Sequence, residues 1–439
     1  MAQPPTSSPR LVALRSRDFQ LLWLGELVSI TGSQMQIVAV NWHIYELLRG
    51  ESYAVSILGL NIDLGAAALG LGALGLIRVL PIIVFGLIGG AMADTVDRRK
   101  LMLWTRIIAA VFAGILAIIT LAHQDTIGWI YLLTAAGSAT TAFDNPARQS
   151  LVPNLVPREH LTNAVSLMTL LFQIATIVGP ALAGILIGHY NIGIIYAINA
   201  LTFAAAIFTV TMMRYQGKPT GSLSAGLSIG AMMEGLRFTY RSRIIWGTML
   251  LDFFATFFSS ARTMLPLIAD GILGTGPLGY GLLSAAQPVG AVIAGAIMAL
   301  RKDVYRQGVV LLVSVAIYGV ATAIFGIATN FALAFVMLAL TGAGDTVSTV
   351  IRGTLRQIMT PDHLRGRMTG VNMIFFMGGP QLGELEAGLV AAAFGAPFAI
   401  LTGGIATVLL TGWIAWKYPR LRDYTSDTAA QDLEAANAV

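Results

Sequence analysis

Four carboxylates stand inside otherwise apolar stretches of this chain: Glu26, Asp252, Glu384 and Glu386. An ionisable group at bilayer depth costs about 2.5–3.5 kcal/mol on insertion scales, so it must face a cavity or a partner. A carboxyl in a low-dielectric cavity can exchange a proton near neutral pH, or contact a cationic substrate. Glu26 lies about two turns, roughly 10 Å, into the first apolar run. Asp252 falls in the first half of the seventh run, and Glu384 and Glu386 near the middle of the eleventh. All four are candidates for proton coupling, with Glu26 and Glu384 foremost. The competing reading is a structural ion pair, because buried ions commonly pair. Arg78 and Arg262 are the cations that the sequence offers as partners; Arg262 lies about 15 Å beyond Asp252 along the same run.

Uncharged polar groups recur at similar depth. Thr31, Ser33, Gln34 and Gln36 form a patch in the first run, Gln173 lies in the fifth, and Asn372 and Gln381 in the eleventh. Phe253, Phe254, Phe257 and Phe258 crowd the seventh run, and Phe375 and Phe376 the eleventh. Polar groups with aromatic walls suit a bulky amphiphilic compound. Gln34, Gln173, Phe254, Arg262, Asn372, Phe376 and Gln381 are therefore the substrate-cavity candidates. Aromatic rings in such runs also pack on lipid or on neighbouring helices.

The elements that position these groups follow from composition. The 439 residues are 56% hydrophobic and 11% charged, with a mean hydropathy of +0.75. That is too little charged surface for a water-soluble globule. About 20 apolar residues cross a bilayer as a helix. The apolar runs predict twelve spans, near 19–46, 70–93, 101–122, 128–147, 161–188, 191–213, 244–269, 278–300, 308–328, 331–352, 366–392 and 395–416. The tract 51–68 is predicted to elaborate the periplasmic side as a short surface helix. The chain has no Cys, which excludes disulfides, thiol chemistry and cysteine metal sites. The five His show no metal-ligand spacing, and no phosphate-binding Gly-x4-Gly-Lys-Ser/Thr loop occurs, so neither a metal, another cofactor nor ATP is implied.

Basic residues cluster in alternate loops and in both tails, which places those loops and both termini in the cytoplasm. The formal net charge of +5 is explained by these loops rather than by nucleic acid. The N-terminus lacks the apolar core and cleavage site of a signal peptide. Gly70-x-Gly72-x-x-Gly75 matches a dinucleotide fingerprint as a string but lies in an apolar run, where it reads as helix packing. Gly226-x-Ser228-x-Gly230 matches a serine-hydrolase elbow without the preceding strand, and Ser228 is expected to cap a helix instead.

An internal repeat organises the runs. Arg148-x-x-Leu151 and Pro157 recur 204 positions on as Arg352-x-x-Leu355 and Pro361, and Gly179-Pro180 recurs 200 positions on as Gly379-Pro380. The expected fold is all-α and integral to the membrane, with twelve transmembrane helices in two parallel six-helix repeats. The domains are a cytoplasmic tail (1–18), an N-terminal bundle (19–213), a cytoplasmic linker with an amphipathic helix (214–243), a C-terminal bundle (244–416) and a cytoplasmic tail (417–439). Within the linker, Met232, Met233, Leu236 and Tyr240 follow helical spacing, as an interfacial helix requires.

The turn Gly86–Leu101 resembles the loop between helices 2 and 3 of the major facilitator superfamily. Gly90, Asp94, Arg98 and Arg99 match its Gly-x-x-x-Asp-Arg-x-Gly-Arg-Arg pattern, while Thr95 and Asp97 depart from it. The run Ala142 to Gln149, with Arg17-Asp18-Phe19 and Leu22 to Gly25, resembles the enterobactin-exporter and macrolide-efflux branch of that superfamily. The resemblance implies a cytoplasmic gate of Gly90, Asp94, Arg98, Arg99, Asp144 and Arg148, in which Asp94 engages Arg148 and the region Gly366–Met368. Gly179-Pro180 with Gly184 resembles a signature associated with antiporters. It reads as a helix-5 hinge, since Pro removes a backbone hydrogen bond and Gly permits close approach; a plain Pro kink is the alternative.

The function so implied is that of a secondary active transporter in the bacterial inner membrane, not an enzyme. It would work as a monomer, exporting a siderophore, macrolide or other amphiphilic small molecule against inward proton flow by alternating access. The alternatives on the same scaffold are a lipid or lysophospholipid flippase, with membrane lipid as partner, and a metal-ion exporter. For the last, Asp63, Asp252 and His43 are too scattered to form a ligand set.

Overall fold

The computed structural model describes residues 11–57, 60–216, 229–260, 262–301, 304–361, 364–425 and 427–428. Hydrocarbon offers no partner to a backbone N–H or C=O, so a spanning chain must bond those groups within itself. Accordingly, helix dominates: α1 (Arg17–Leu48), α2 (Ala66–Thr95), α3 (Arg98–Leu121), α4 (Ile127–Leu151), α5 (Leu161–His189) and α6 (Ile192–Thr211). After these come α7 (Ile229–Arg241), α8 (Arg243–Phe258), α9 (Leu265–Gly271), α10 (Gly276–Leu300), α11 (Gln307–Gly326), α12 (Phe331–Met359), α13 (Arg365–Phe394), α14 (Ala396–Lys417) and the short α15 (Pro419–Arg422). Among the described residues, eight helices are long and apolar enough to cross a membrane: α2, α3, α5, α6, α10, α11, α12 and α14. The helices α1, α4 and α13 have 32, 25 and 30 residues, also long enough for a crossing.

Two expectations need correction. The tract after α1 is not a surface helix. It forms an antiparallel hairpin of β1 (Ser52–Ile57) and β2 (Leu60–Gly65), with Ser52 opposite Gly65 and Ile57 opposite Leu60. Alternating and β-branched residues (Tyr53, Val55, Ile57, Ile62) favour the pleated state here, and α2 starts at Ala66 rather than Gly70. The seventh run is not one helix either. α8 ends at Phe258 and α9 starts at Leu265, leaving non-helical backbone between them.

The chain separates into two compact units, 1–40 with 80–226 and 41–79 with 227–439. In the first, α3 packs on α4 and α6; in the second, α11 packs on α12 and α14. These pairs are equivalent under the sequence repeat. The Gly-Pro repeat is equivalent too. A Cβ on Gly179 would lie 2.6 Å from Gln34 Cβ, and one on Gly379 would lie 3.1 Å from Phe253 O. Thus α5 closes on α1, and α13 on α8, at a glycine. The first unit is filled by Phe19, Leu22, Met102, Leu151 and Val210, and the second by Leu311, Leu355, Ile414 and Leu421.

Candidate functional site

In the first unit, four charged side chains converge. Arg106 on α3 donates to the Glu26 carboxylate on α1, and its Nε lies 3.4 Å from Asp144 Oδ1 on α4. Arg148, one turn beyond Asp144, places Nε 3.9 Å from Glu26 Oε2 and 4.0 Å from Asp144 Oδ2. Thr105 donates to Asp144 over 3.1 Å, and Arg148 donates to Asn145 over 2.7 Å. Glu26 and Arg106 are almost wholly buried. Two acids face two bases, so the cluster is neutral, which is how a low-dielectric interior tolerates charge. Arg106 was not singled out in sequence, although an Arg in mid-run on α3 was the available signal.

The second unit repeats the arrangement. Asp252 follows Arg243, which opens α8, by nine residues, as Glu26 follows Arg17, which opens α1. Arg352 on α12, the repeat mate of Arg148, sets Nη1 2.5 Å from Asp252 Oδ1 and Nη2 3.6 Å from Asp345 Oδ1. Arg356 donates to the Arg352 carbonyl over 3.2 Å and to the Asn372 side chain. Again two acids accompany two bases. Asn372, expected in a substrate cavity, is here a ligand of Arg356. Sequence reasoning missed Arg352 as the partner of Asp252, and Asp345 and Arg356 as the groups around Arg352, because their convergence depends on how α8 and α12 pack.

Glu384 sits differently. It is 7% exposed, on α13 against α2, where a Cβ on Gly75 would meet Gln381 O at 2.5 Å and Glu384 Cβ at 2.9 Å. Gly72 likewise meets Gly388, so the glycine string of α2 is a packing surface. Among the described residues, the buried atoms Glu384 Oε2 and Gln381 Oε1 have no hydrogen-bond partner. Arg78 and Arg262 lie within electrostatic reach of Glu384. Arg78 donates to Asn41 over 2.7 Å, and Arg262 to Gln287 over 2.8 Å. Tyr280, stacked on Trp42 at 5.6 Å, bonds to Asn41 and joins the same network. Glu386 is half-buried, about 200° round the helix from Glu384.

The remaining candidates scatter. Gln34 is partly buried against Gly179, and Gln173 is partly buried on α5. Phe254 packs on Phe253 and Phe258, while Phe375 meets Phe253 and Trp246 edge to face, so these rings join α8 to α13. Phe376 is exposed. Pro180 and Gly184 are buried in α5. At the Gly86–Leu101 turn, Arg98 is buried and bonds to the carbonyls of Ala93 and Ser150. Arg99 bonds to the carbonyls of Val210 and Thr211 at the end of α6. A Cβ added at Gly90 would meet nothing within 4 Å among the described residues beyond its own helix. Asp97, a departure from the resembled pattern, caps α3 by accepting from the N–H groups of Arg99 and Lys100 at 3.0 and 3.2 Å. The side chains of Asp94 and Gly366, and Ser228 with the rest of its motif up to it, lie outside the described residues.

Paired buried ions, glycine-packed helices and a twice-used helical arrangement define a membrane transporter of the major facilitator type. The chain belongs to the family of transmembrane secretion effectors, which matches residues 8–438. It is 27% identical over 403 residues to the enterobactin exporter EntS of Salmonella choleraesuis (strain SC-B67), covering 90% of this chain and 92% of that one. Identity to the same exporter of Escherichia coli O1:K1 / APEC is 26% over 402 residues, covering 89% and 91%. Among solved structures, a bacterial homologue of the human lysosomal transporter Spinster superposes with a TM-score of 0.71 at 12% identity, covering 94% and 98%. A bacterial homologue of the iron transporter ferroportin gives 0.66 at 15% identity, covering 92% and 98%. At these identities the two structures speak for the fold.

Proposed function

We propose that this protein is a proton-coupled exporter of amphiphilic small molecules, a siderophore, macrolide or other drug. The observation that carries the reading is end-to-end similarity to enterobactin exporters across 90% of the chain. The reading includes twelve spans in two halves, 19–213 and 244–416, joined by the 214–243 linker. Both tails lie in the cytoplasm of a bacterial cell whose inner membrane holds the chain as a monomer. Rocking of the halves would expose a midplane site to each side in turn. Support for proton coupling comes from Glu384, a buried carboxyl with one oxygen uncommitted, free to take up and release a proton. Glu26 and Asp252 are tied into neutral clusters and serve better as the pivots that hold each bundle together. Glu386 remains a secondary proton candidate. Asp94, Asp144 and Arg148, with Gly90, Arg98 and Arg99, form the cytoplasmic gate, and Gly179, Pro180 and Gly184 the helix-5 hinge.

The test uses purified protein in proteoliposomes with an acidic lumen and a pH-sensitive dye inside. Enterobactin, a macrolide and a cationic dye are added outside in turn. Cargo-dependent alkalinisation of the lumen is expected, and Glu384→Gln should abolish its dependence on the proton gradient. Cargo movement that ignores the gradient in the wild type would remove proton coupling. The flippase alternative draws on an apolar cleft of about 440 Å³ between α1, α5 and α6, lined by Leu27, Thr31, Leu182 and Ile185 among others. Transbilayer movement of fluorescent lysolipid in the same vesicles, without response to the other cargoes, would favour it.

A further inference from the structure

A basic surface lies outside the buried clusters. The segment 214–243 carries Arg214, Lys218, Arg237, Arg241 and Arg243 against a single acid, Glu234. Glu234 is already engaged, because Arg367 near the start of α13 donates to its carboxylate. Arg237, Arg241 and Arg243 are exposed, and none has a carboxylate within ion-pair distance among the described residues. Arg237 and Arg241 stand one turn apart on α7, about 6 Å along its axis. Like charges at that spacing disfavour a helix. The helix dipole offsets this for Arg241, in the last turn, but not for Arg237, a turn earlier.

The apolar residues of α7 complete this face. Met233, Leu236 and Tyr240 are exposed, and at 100° per residue they share with Arg237 and Arg241 an arc of about 140°. The opposite side belongs to the second unit. Thr239 is fully buried there, and Phe238 packs on the cluster of Ile245, Met249, Met368 and Val371, from α8 and α13. Tyr240 meets Trp246 of α8 edge to face at 5.4 Å, which fixes its ring. One residue, Ser242, separates α7 from α8, and its backbone is extended, with ψ 99°. The chain therefore bends where the seventh apolar run begins, and Arg241 and Arg243 flank the bend. A helix that turns aside at the mouth of a span lies at headgroup level.

We infer that the exposed face of α7 binds anionic phospholipid in the leaflet that meets the starts of α8 and α13. Arg237, Arg241 and Arg243 take the phosphates, and Met233, Leu236 and Tyr240 lie among the first acyl carbons. The inference needs a membrane but neither a transport direction nor a cargo. Near an anionic surface each guanidinium is worth about a fivefold change in affinity. A zwitterionic headgroup brings its own ammonium group and cancels most of that attraction. The chain's own C-terminal tail is the competing occupant, since Asp423, Asp427, Asp432 and Glu434 make it acidic. Two of these are held elsewhere, Asp423 by Arg422 and Asp427 by the Tyr305 hydroxyl. Leu433 and Val439 are the large aliphatic residues beyond them, too few to cover three apolar side chains.

The chain has no Cys, so Leu236→Cys offers one site for bimane on the exposed face. The full-length labelled protein, held in nanodiscs of phosphatidylcholine, is titrated with dioctanoyl phosphatidylglycerol and separately with dioctanoyl phosphatidylcholine. A saturable blue shift is expected with the first and none with the second. Arg237→Gln and Arg241→Gln should each raise the half-saturating concentration about fivefold. Arg237→Lys and Arg241→Lys should stay close to the parent, which separates loss of charge from misfolding. Added salt should raise the concentration as well. Neutralising the remaining tail acids, Asp432→Asn with Glu434→Gln, should leave it unchanged. Equal response to the two lipids, no response to either, or the same concentration in both glutamine variants would overturn the inference. So would a response that appears only in the neutralised tail variant, which assigns the face to the tail. No cargo enters these titrations, so failure here leaves the exporter reading to the proteoliposome assay.

Discussion

Arg106 lies between Glu26 and Asp144, and its removal would leave these two carboxylates with Arg148 alone as counter-charge, so that the buried Glu26 is no longer fully compensated. Breaking such a pair from one side costs about 3–5 kcal/mol, far more than the intact pair contributes over an apolar substitute. Arg106→Gln is therefore expected to lower the thermal midpoint of the detergent-solubilised protein sharply. Glu26→Gln in the same chain should recover much of that loss, since the charge is then gone from both sides. A single-variant midpoint equal to wild type would show that Glu26 is stabilised by something other than Arg106. Glu26 was legible in sequence as a buried carboxyl. Its partner was not, because a guanidinium finds a carboxylate across α1 and α3 only once those helices are in register.

At the scale of elements, helix ends and helix contacts make separate demands. Asp97 accepts two backbone N–H groups at the start of α3, and such a cap is worth about 1 kcal/mol. Asp97→Ala should cost about that much in thermal unfolding, while Asp97→Ser should cost little, since Ser caps as well. Helix contact is harsher on glycine. Gly75 faces Gln381 and Glu384 with no room for a Cβ, whereas Gly114 on α3 has nothing within 4 Å. Gly75→Leu is expected to destabilise by about 1–3 kcal/mol through overpacking, and Gly114→Leu to leave the melting midpoint close to wild type. Equal effects at the two positions would mean that α2 and α13 are not in close contact in solution. The packing role of Gly72 and Gly75 could be read from the long apolar run that holds them, although a strand, β2, does precede α2. The break after Phe258 could not: Ser259, Ser260, Arg262 and Thr263 interrupt hydropathy only briefly, and the bonds to Thr407 and Pro380 that stabilise the unwound turn come from distant chain.

For the whole molecule, the cysteine-free chain permits a clean topology experiment. Lys100→Cys and Gln124→Cys place single thiols at opposite ends of α3, just inside its start and just past its end. In intact cells, an impermeant maleimide should label Gln124→Cys and spare Lys100→Cys, with both labelled after lysis. The reverse pattern would invert the orientation assigned to the Arg98 turn and to both tails. The compact units add a constraint of their own. They divide α1 after Val40 and α2 after Val79, so each of these helices contributes residues to both units.

Composition and spacing along the chain settle the solvent, the helical content and the repeat. An apolar chain with sparse charge must saturate its backbone in helices, and ordered matches such as Arg148 with Arg352 and Gly179 with Gly379 reveal two related halves. Family resemblance at the Gly86–Leu101 turn followed from the same linear information. Only the tertiary structure decided which charges neutralise one another, because ion pairing depends on distances of a few ångströms between helices far apart in sequence. Packing left one oxygen of the buried Glu384 without a hydrogen-bond partner among the described residues, paired Glu26 and Asp252 with arginines, and turned the 51–68 tract into a hairpin whose strands gain their hydrogen bonds from each other.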